Sequence, residues 1–265
     1  MTETTKKSFS KIRDDYAFFE NHTTEFDQDL YHYQQTLAKF TPPAKPLKFL
    51  DFGCGTGVFT SRFIKLFHLF HPPVEELEIT LIEPDESYRH NAVHLLSQYA
   101  HSPIQSFPYL PPDISDQFHL ILSNHVLYYV PNLRATITWL LQRRHPQGMM
   151  LVTMAGKDNI ISQFWRSCFD FLGQAIPYHL AEDLIPIIHN LYPSYQRRTV
   201  TYTLRFPDTL DNRWKLLRFM LGEHLAQLQA YDLPSLFDPY ASQGQVDITT
   251  SHYQFIFAPA DGYRS

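Results

Sequence analysis

Residues 47–60, LKFLDFGCGTGVFT, carry the densest chemical signal in the chain. An apolar run leads into Asp51, Gly53, Cys54, Gly55 and Gly57, and a helical pattern follows. Glycines at alternate positions let a backbone turn tightly and approach a ligand with no Cβ in the way. The helix behind them offers unpaired N–H donors. In the Gly-x-Gly-x-x-Gly dinucleotide fingerprint such donors receive a pyrophosphate. Here the third glycine comes one residue early and Val58 follows it. The spacing is Gly-x-Gly-x-Gly after an acidic residue. A second acid, Glu83, closes the strand-like 77–82 in the run Ile82-Glu83-Pro84-Asp85. A carboxylate there can accept two hydrogen bonds from vicinal hydroxyls. A ligand-free glycine turn and a nicotinamide-binding loop are the competing readings of the same residues.

The elements that must hold these residues alternate along the first half. Strand patterns at 47–52, 77–82, 118–123 and 149–154 are separated by helical patterns at 58–70, 86–99 and 133–144. That alternation predicts crossover units on a doubly wound, mostly parallel α/β sheet. Ahead of it, Phe26, Leu30, Tyr33, Leu37 and Phe40 recur at helical spacing and predict one amphipathic helix. After Ala155 the rhythm changes. Helical patterns cover 160–172, 179–191 and 210–229, a strand covers 200–206, 231–247 reads as a loop, and 253–257 is an aromatic strand. The two late strands are expected as an antiparallel pair at the sheet's far edge. Prolines 42, 43 and 46, 72 and 73, and 108, 111 and 112 punctuate the series.

Composition bounds the rest. A chain of 265 residues with 44% hydrophobic and 18% charged residues suits one α/β domain, or one domain with a small cap. A net charge of −5 lacks the basic face of a nucleic-acid binder. No apolar run approaches the ~20 residues that span a bilayer. The N-terminal MTETTKKSFSKIRDDY has no apolar segment of a signal peptide, so a soluble, cytoplasmic protein is expected. Two cysteines, Cys54 and Cys168, exclude a disulfide scaffold and a four-cysteine zinc site. Cys54, between glycines at a helix start, reads as a small filler before it reads as a reactive thiol. Aromatic residues reach 15%, which fills a core and would also wall a pocket for a flat or cationic molecule. The pairs His90/His94 and His68/His71 could share helix faces, but no third ligand lies at a suitable spacing, so no metal is expected. No Gly-x-Ser-x-Gly elbow surrounds Ser61 or Ser123, and hydrolase chemistry has no support.

The loop of Asp51, Gly53, Gly55 and Gly57 with Glu83 behind it resembles the first motifs of class I S-adenosylmethionine-dependent methyltransferases. The resemblance implies a seven-stranded Rossmann-like sheet and S-adenosylmethionine as cofactor, with S-adenosylhomocysteine as product. It implies that the loop, Cys54 included, holds the methionine part, that Asp51 faces the ammonium, and that Glu83 with Pro84 takes the ribose. Gln105 and Ser106, at the expected end of the third strand, would meet the adenine, and Asn124 would complete the cofactor site. Further segments are similar to histamine N-methyltransferase and its bacterial relatives: Asn21-His22-Thr23-Thr24-Glu25 and Leu127-Tyr128-Tyr129-Val130. That resemblance matches Glu25 to an amine-binding carboxylate and Tyr128 and Tyr129 to an aromatic wall. His125 falls where the family has a glutamine, and Thr249 near an asparagine, so the pocket departs from the family's at two positions. From the residues alone, Glu25 is equally a helix-start carboxylate, His125 a hydrogen-bonded strand-end histidine, the tyrosines core, and Thr249 an ordinary strand residue.

The expectation is a single methyltransferase domain over 1–265. Lid helices occupy 1–40, the cofactor half 47–155, a helical cap with a late strand 158–247, and the last strand 252–258. The activity expected is methyl transfer to a nitrogen of an imidazole or amine, with Glu25 and His125 as catalytic residues. An O-methyltransferase for a small phenol or acid, or a non-catalytic relative, are the alternatives. The expected partner is a small-molecule acceptor, with neither nucleic acid nor membrane, in a monomer or weak homodimer.

Overall fold

A computed structural model describes residues 9–43, 46–71 and 77–258. Pro72 and Pro73 and the first eight residues of the expected lid lie outside the described residues.

The strands β1 (Leu47–Phe52), β2 (Leu77–Ile82), β3 (Gln105–Phe107), β4 (Phe118–Asn124) and β5 (Arg144–Met154) are parallel. Helices α3 (Val58–Phe70), α4 (Glu86–Leu96) and α5 (Leu133–Arg143) connect them. Ahead of β1 stand α1 (Arg13–His22) and α2 (Glu25–Leu37). After β5 come α6 (Ile160–Phe171), α7 (Ala181–Leu191), β6 (Gln196–Pro207), α8 (Leu210–Leu221), β7 (Ala241–Ser242) and β8 (Gln245–Phe257). Seven strands run in the order β3-β2-β1-β4-β5-β8-β6, and the two-residue β7 pairs only with β8. β8 is antiparallel to both β5 and β6, as expected for the late pair.

Two apolar clusters flank the sheet, and strand alternation feeds both. Leu47 and Phe49 of β1 face one with Tyr33, Phe63 and Phe67, while Leu50 and Phe52 face the other with Ile121, Met150 and Trp165. Between β1 and β4 the strand order reverses. The crevice beyond the carboxyl ends of those two strands is where open α/β sheets bind ligands.

Three expectations need correction. The last strand starts at Gln245, not 252, because its first half extends β6 well past the end of β5. Val246, Ile248 and Thr250 are buried in alternation, which is the strand period. The expected loop over 231–247 contains a 3-10 helix, Leu233–Tyr240, whose Leu233, Pro234 and Phe237 are buried. The long helix expected over 210–229 also breaks at Gly222, and a 3-10 stretch, Gly222–Leu228, continues it. Among the described residues no helix is long and apolar enough to cross a membrane.

Candidate active site

At the crevice lies a cavity of about 370 Å³. Its floor on one side is the glycine loop. At Gly53 (φ +81°) close packing forbids a side chain, because a Cβ there would stand 2.3 Å from Val126. Gly55 (φ +54°) faces open space, with nothing within 4 Å of where a Cβ would stand, so a ligand can reach its backbone. The Gly55 amide donates to Glu83 Oε2 at 3.1 Å, and the Asp85 amide donates to Oε1 at 2.9 Å. These bonds aim the Glu83 carboxylate into the cavity, while burial raises its pKa. Asp51 is buried and held by the Thr60 hydroxyl. Burial, opposed by Thr60 and aided by the nearby Glu83 charge, raises the Asp51 pKa to about 7. Burial likewise pushes the Cys54 thiol well up, which suits a filler rather than a nucleophile. A polar, buried acid with no cationic partner among the described residues, an oriented second carboxylate and an open glycine backbone fit a ligand with an ammonium, vicinal hydroxyls and a slender chain.

The opposite wall is assembled from α2, the end of β4 and Tyr202 of β6, with β8 packed behind them. Thr24 pairs its amide with the Thr203 carbonyl of β6 at 2.9 Å, and α2 starts on the next residue. That anchor sets Glu25, 6% exposed, on the cavity wall. One turn on, Asp29 is fully buried. Its Oδ1 accepts from His252 Nε2 at 2.7 Å and Gln254 Nε2 at 2.9 Å, and its Oδ2 lies 3.1 Å from His125 Nε2. Burial alone would raise the Asp29 pKa, but His252 and His125 outweigh it and hold the carboxyl below its ordinary range.

His125 takes a left-handed backbone (φ +55°), uncommon for a residue with a Cβ, and its amide donates to the Thr153 carbonyl at 3.1 Å. The turn points its ring back between Asp29 and Tyr128, whose hydroxyl is 3.1 Å from Nδ1. The Tyr128 oxygen itself accepts from the Ala155 amide at 2.6 Å. Glu25 Oε2 is 3.7 Å from His125 Nε2. Burial pushes the His125 pKa down, yet Glu25 and Asp29 together leave it raised. Asn124 bridges, accepting from Tyr33 at 3.2 Å and donating to Asp29 at 3.4 Å. Tyr16, Phe19, Tyr129, Trp165, Tyr202 and Phe219 complete an aromatic enclosure.

Asp51, Gly53, Cys54, Gly55, Glu83, Asn124, Glu25, His125, Tyr128 and Tyr129 therefore line one cavity. Five expected residues do not. Pro84 is exposed beside it. Gly57 starts α3 with φ +81° and packs on α4, where a Cβ would meet Ala92 Cα at 3.0 Å. Gln105 and Ser106 pair with Thr80 and Leu81, too early along β3 to reach the crevice. Gln105 instead borders a small polar groove with Lys48, Glu78 and Asp116. The residue that ends β3 is Phe107, whose carbonyl accepts the Glu83 amide at 3.0 Å. Thr249 is exposed on the opposite face of β8 from Thr250 and His252.

Residues 25–205 match a methyltransferase domain. The chain belongs to that family. Among solved structures, a protein from Bacillus halodurans described as a methyltransferase superposes with a TM-score of 0.53 at 11% identity, covering 86% of this chain and 97% of that one. The plantazolicin methyltransferase BamL, crystallised with S-adenosylhomocysteine and a triazolic desmethylPZN analogue, superposes with a TM-score of 0.52 at 14% identity, covering 93% and 90%. Both likenesses concern the fold. No curated protein sequence matches the chain significantly.

Several residues of the methyltransferase cavity and of the layer behind it escape a reading of the sequence. Tyr16, Phe19 and Glu20 share one face of α1 at spacings of three and four, a helical signal that the sequence does carry. Asp29, one turn after Glu25, carries the same signal. His252 and Gln254 alternate along β8, and nothing local ties them to Asp29. Nor does local spacing reveal that Glu25, His125 and His252 bring ligand-type atoms within 4.8 Å of one another, where the sequence predicts no metal cluster.

Proposed function

We propose that this methyltransferase moves the methyl group of S-adenosylmethionine to a nitrogen of a small imidazole or amine. One observation carries the reading: Glu25 and His125 share a cavity with Gly55 and Glu83, inside an aromatic enclosure. The glycine loop, Asp51 and Glu83 are assigned to the cofactor, and Glu25, His125, Tyr128 and Tyr129 to the acceptor. The similarity of the Asn-His-Thr-Thr-Glu and Leu-Tyr-Tyr-Val segments to histamine N-methyltransferases supports an acceptor of that class.

The nitrogen lone pair attacks the methyl carbon in line with the C–S bond. That bond's electrons stay on sulfur, leaving S-adenosylhomocysteine, and the proton lost from nitrogen passes to the carboxylate–histidine wall. The cofactor supplies the activated carbon, so the protein's task is alignment and exclusion of water. Holding the reacting atoms about 3–3.5 Å apart is the main source of rate such a site offers. Two carboxylates beside His125 favour a cationic or N–H-bearing head group, and aromatic faces favour the positive charge that travels with the methyl. We assign α1 and the 158–247 region to a lid over this site. Tyr16, Phe19, Trp165 and Phe219 form its inner surface, with Phe19 and Phe219 stacked at 4.6 Å. We assign the enzyme to the cytoplasm as a monomer or weak homodimer acting on a small-molecule acceptor, and its two free, buried thiols accord with a reducing compartment.

The test is transfer of a labelled methyl from S-adenosylmethionine to histamine, other imidazoles, aliphatic amines, phenols and small acids. An N-methylated product is expected. Product on phenols or acids alone would overturn the nitrogen assignment and leave the methyltransferase.

A further inference from the structure

His252 is almost fully buried, and its two nitrogens have opposite surroundings. Nε2 lies 2.7 Å from Asp29 Oδ1, a carboxylate oxygen that can only accept, so Nε2 carries the hydrogen. In the neutral ring the lone pair then lies on Nδ1. This atom is buried with no hydrogen-bond partner, and what it faces is Glu25 Oε1, 3.7 Å away. A buried nitrogen without a partner facing a carboxylate oxygen is a place for a cation, either a proton on Nδ1 or a metal ion between the two atoms. On its other side the same carboxylate faces a second imidazole, with Oε2 3.7 Å from His125 Nε2.

We propose that Glu25, His125 and His252 bind a divalent transition cation at the inner wall of the cavity. Their three donor atoms already lie within 4.8 Å of one another. Ligands of a tetrahedral ion held at 2.0–2.1 Å stand about 3.4 Å apart, so small side-chain movements close the site. Two imidazoles with one carboxylate select a borderline ion such as Zn²⁺ or Fe²⁺, whereas Mg²⁺ and Ca²⁺ take oxygen ligands. The supporting shell is in place. Asp29 orients His252 through Nε2, Gln254 steadies Asp29, and the Tyr128 hydroxyl sits on His125 Nδ1. The ion would displace the hydrogen that His125 Nε2 shares with Asp29, so metal and proton compete for that nitrogen. The ligands come from three separate segments: the first residue of α2, the turn after β4, and the middle of β8. Glu25 and His125 also line the cavity, which leaves the remaining coordination positions open to water or to an acceptor atom other than the one methylated. The inference does not depend on which acceptor atom is methylated.

The test uses the full chain, stripped with a chelator and titrated with Co²⁺, whose visible d–d bands report His and carboxylate ligation. Bands that saturate at one equivalent and are erased by Zn²⁺ are expected. Glu25→Gln and His252→Gln should each abolish them while retaining a cooperative thermal transition. Asp29→Asn should weaken binding about 10–100-fold, as loss of a supporting carboxylate does. The double variant His90→Gln/His94→Gln, a helix pair outside the cluster, should bind like the parent. Absence of a saturable band in the parent overturns the proposal, as does an unchanged band in folded Glu25→Gln. If His252→Gln fails to fold, Glu25→Gln decides. None of these readouts involves methyl transfer, so a failed acceptor assignment is told apart from a failed metal site.

Discussion

The wall of the cavity that we assign to the cofactor and the wall that we assign to the acceptor are built in different ways. The cofactor wall is local: Asp51, Gly53, Gly55 and Glu83 come from two adjacent parallel strands and the turns that leave them. Its decisive contacts are short in sequence, such as Gly53 N to the Ile82 carbonyl at 2.7 Å and Gly55 N to Glu83 at 3.1 Å. The acceptor wall is global. Glu25 and Asp29 meet His125, Tyr202, His252 and Gln254, and the hydrogen bond from Gln254 to Asp29 spans 225 residues. A local motif can be inherited by many enzymes without change, because it reads the invariant part of the chemistry. A wall drawn from four distant segments can change one residue at a time, and that freedom suits the part that chooses the acceptor.

The widest separation between the walls should appear in Glu25→Gln. Removing the carboxylate while keeping its shape leaves His125 and the acceptor's N–H without their anion. A fall in kcat/KM on the order of 100-fold is expected, in line with loss of a positioned acid–base group. Affinity for S-adenosylhomocysteine should stay within about twofold, because Glu25 touches none of the loop contacts described above. Calorimetry beside steady-state kinetics checks both. Equal losses would mean that the walls are energetically one unit.

This division also explains what is legible in the sequence. The bounds of β1, β2 and α3 follow directly from 47–52, 77–82 and 58–70, where apolar runs end at glycines, prolines or acids. The glycine loop and Glu83 are equally plain, since both are defined by neighbours in the chain. Glu25 and His125 are reached only through a resemblance. Asp29 escapes notice because the stripe of Phe26, Leu30, Tyr33 and Leu37 reads as the buried face of α2. In the structure Phe26 and Leu30 are half-buried, and the fully covered stripe runs Glu25, Asp29, Tyr33, Thr36 and Leu37. A carboxylate one turn from another, on the face that also carries Tyr33, is a polar stripe that only a partner such as His252 can justify. That partner lies at the far end of the chain, and hydrophobic periodicity says nothing about it. Gln105 and Ser106 miss the site for a smaller reason: a three-residue strand leaves no room for an error of one or two residues in register.

A second difference between the walls is electrostatic, and its expected effect is about tenfold. Asp29 is already paired with two histidines, whereas Asp51, among the described residues, is held by the Thr60 hydroxyl with its pKa raised to about 7. A carboxyl raised on folding adds its stabilisation below the unfolded pKa, and that contribution is lost as pH climbs through about 7. An ammonium bound beside Asp51 reverses the preference. Affinity for S-adenosylhomocysteine should therefore rise about tenfold between pH 6 and pH 8, as the carboxyl ionises. 5′-Methylthioadenosine, which lacks the amino acid portion, should show a flat profile over the same range. A flat profile for both ligands would remove Asp51 from the ammonium.

The smallest effect sharpens the border of the acceptor wall within a single dipeptide. Thr249 and Thr250 are consecutive on β8, so they point to opposite faces of the sheet. Thr249 is exposed and pairs with Thr203, remote from the cavity lining. Thr249→Ala should change stability by less than about 0.5 kcal/mol, as a surface substitution does, and leave KM unaltered. Thr250 is buried, and its hydroxyl accepts the Ile160 amide at 2.9 Å, satisfying one of the free donors at the start of α6. Thr250→Val keeps the shape and removes that acceptor, so a loss of about 1 kcal/mol is expected, the usual effect of an unmade helix-start bond. Because α6 carries Trp165 into the aromatic enclosure, KM for the acceptor should rise with it while cofactor affinity holds. Denaturant unfolding and acceptor kinetics on the two variants, side by side, would place the edge of the acceptor wall between two adjacent threonines. A rise in KM for Thr249→Ala would move that edge outward by one strand face.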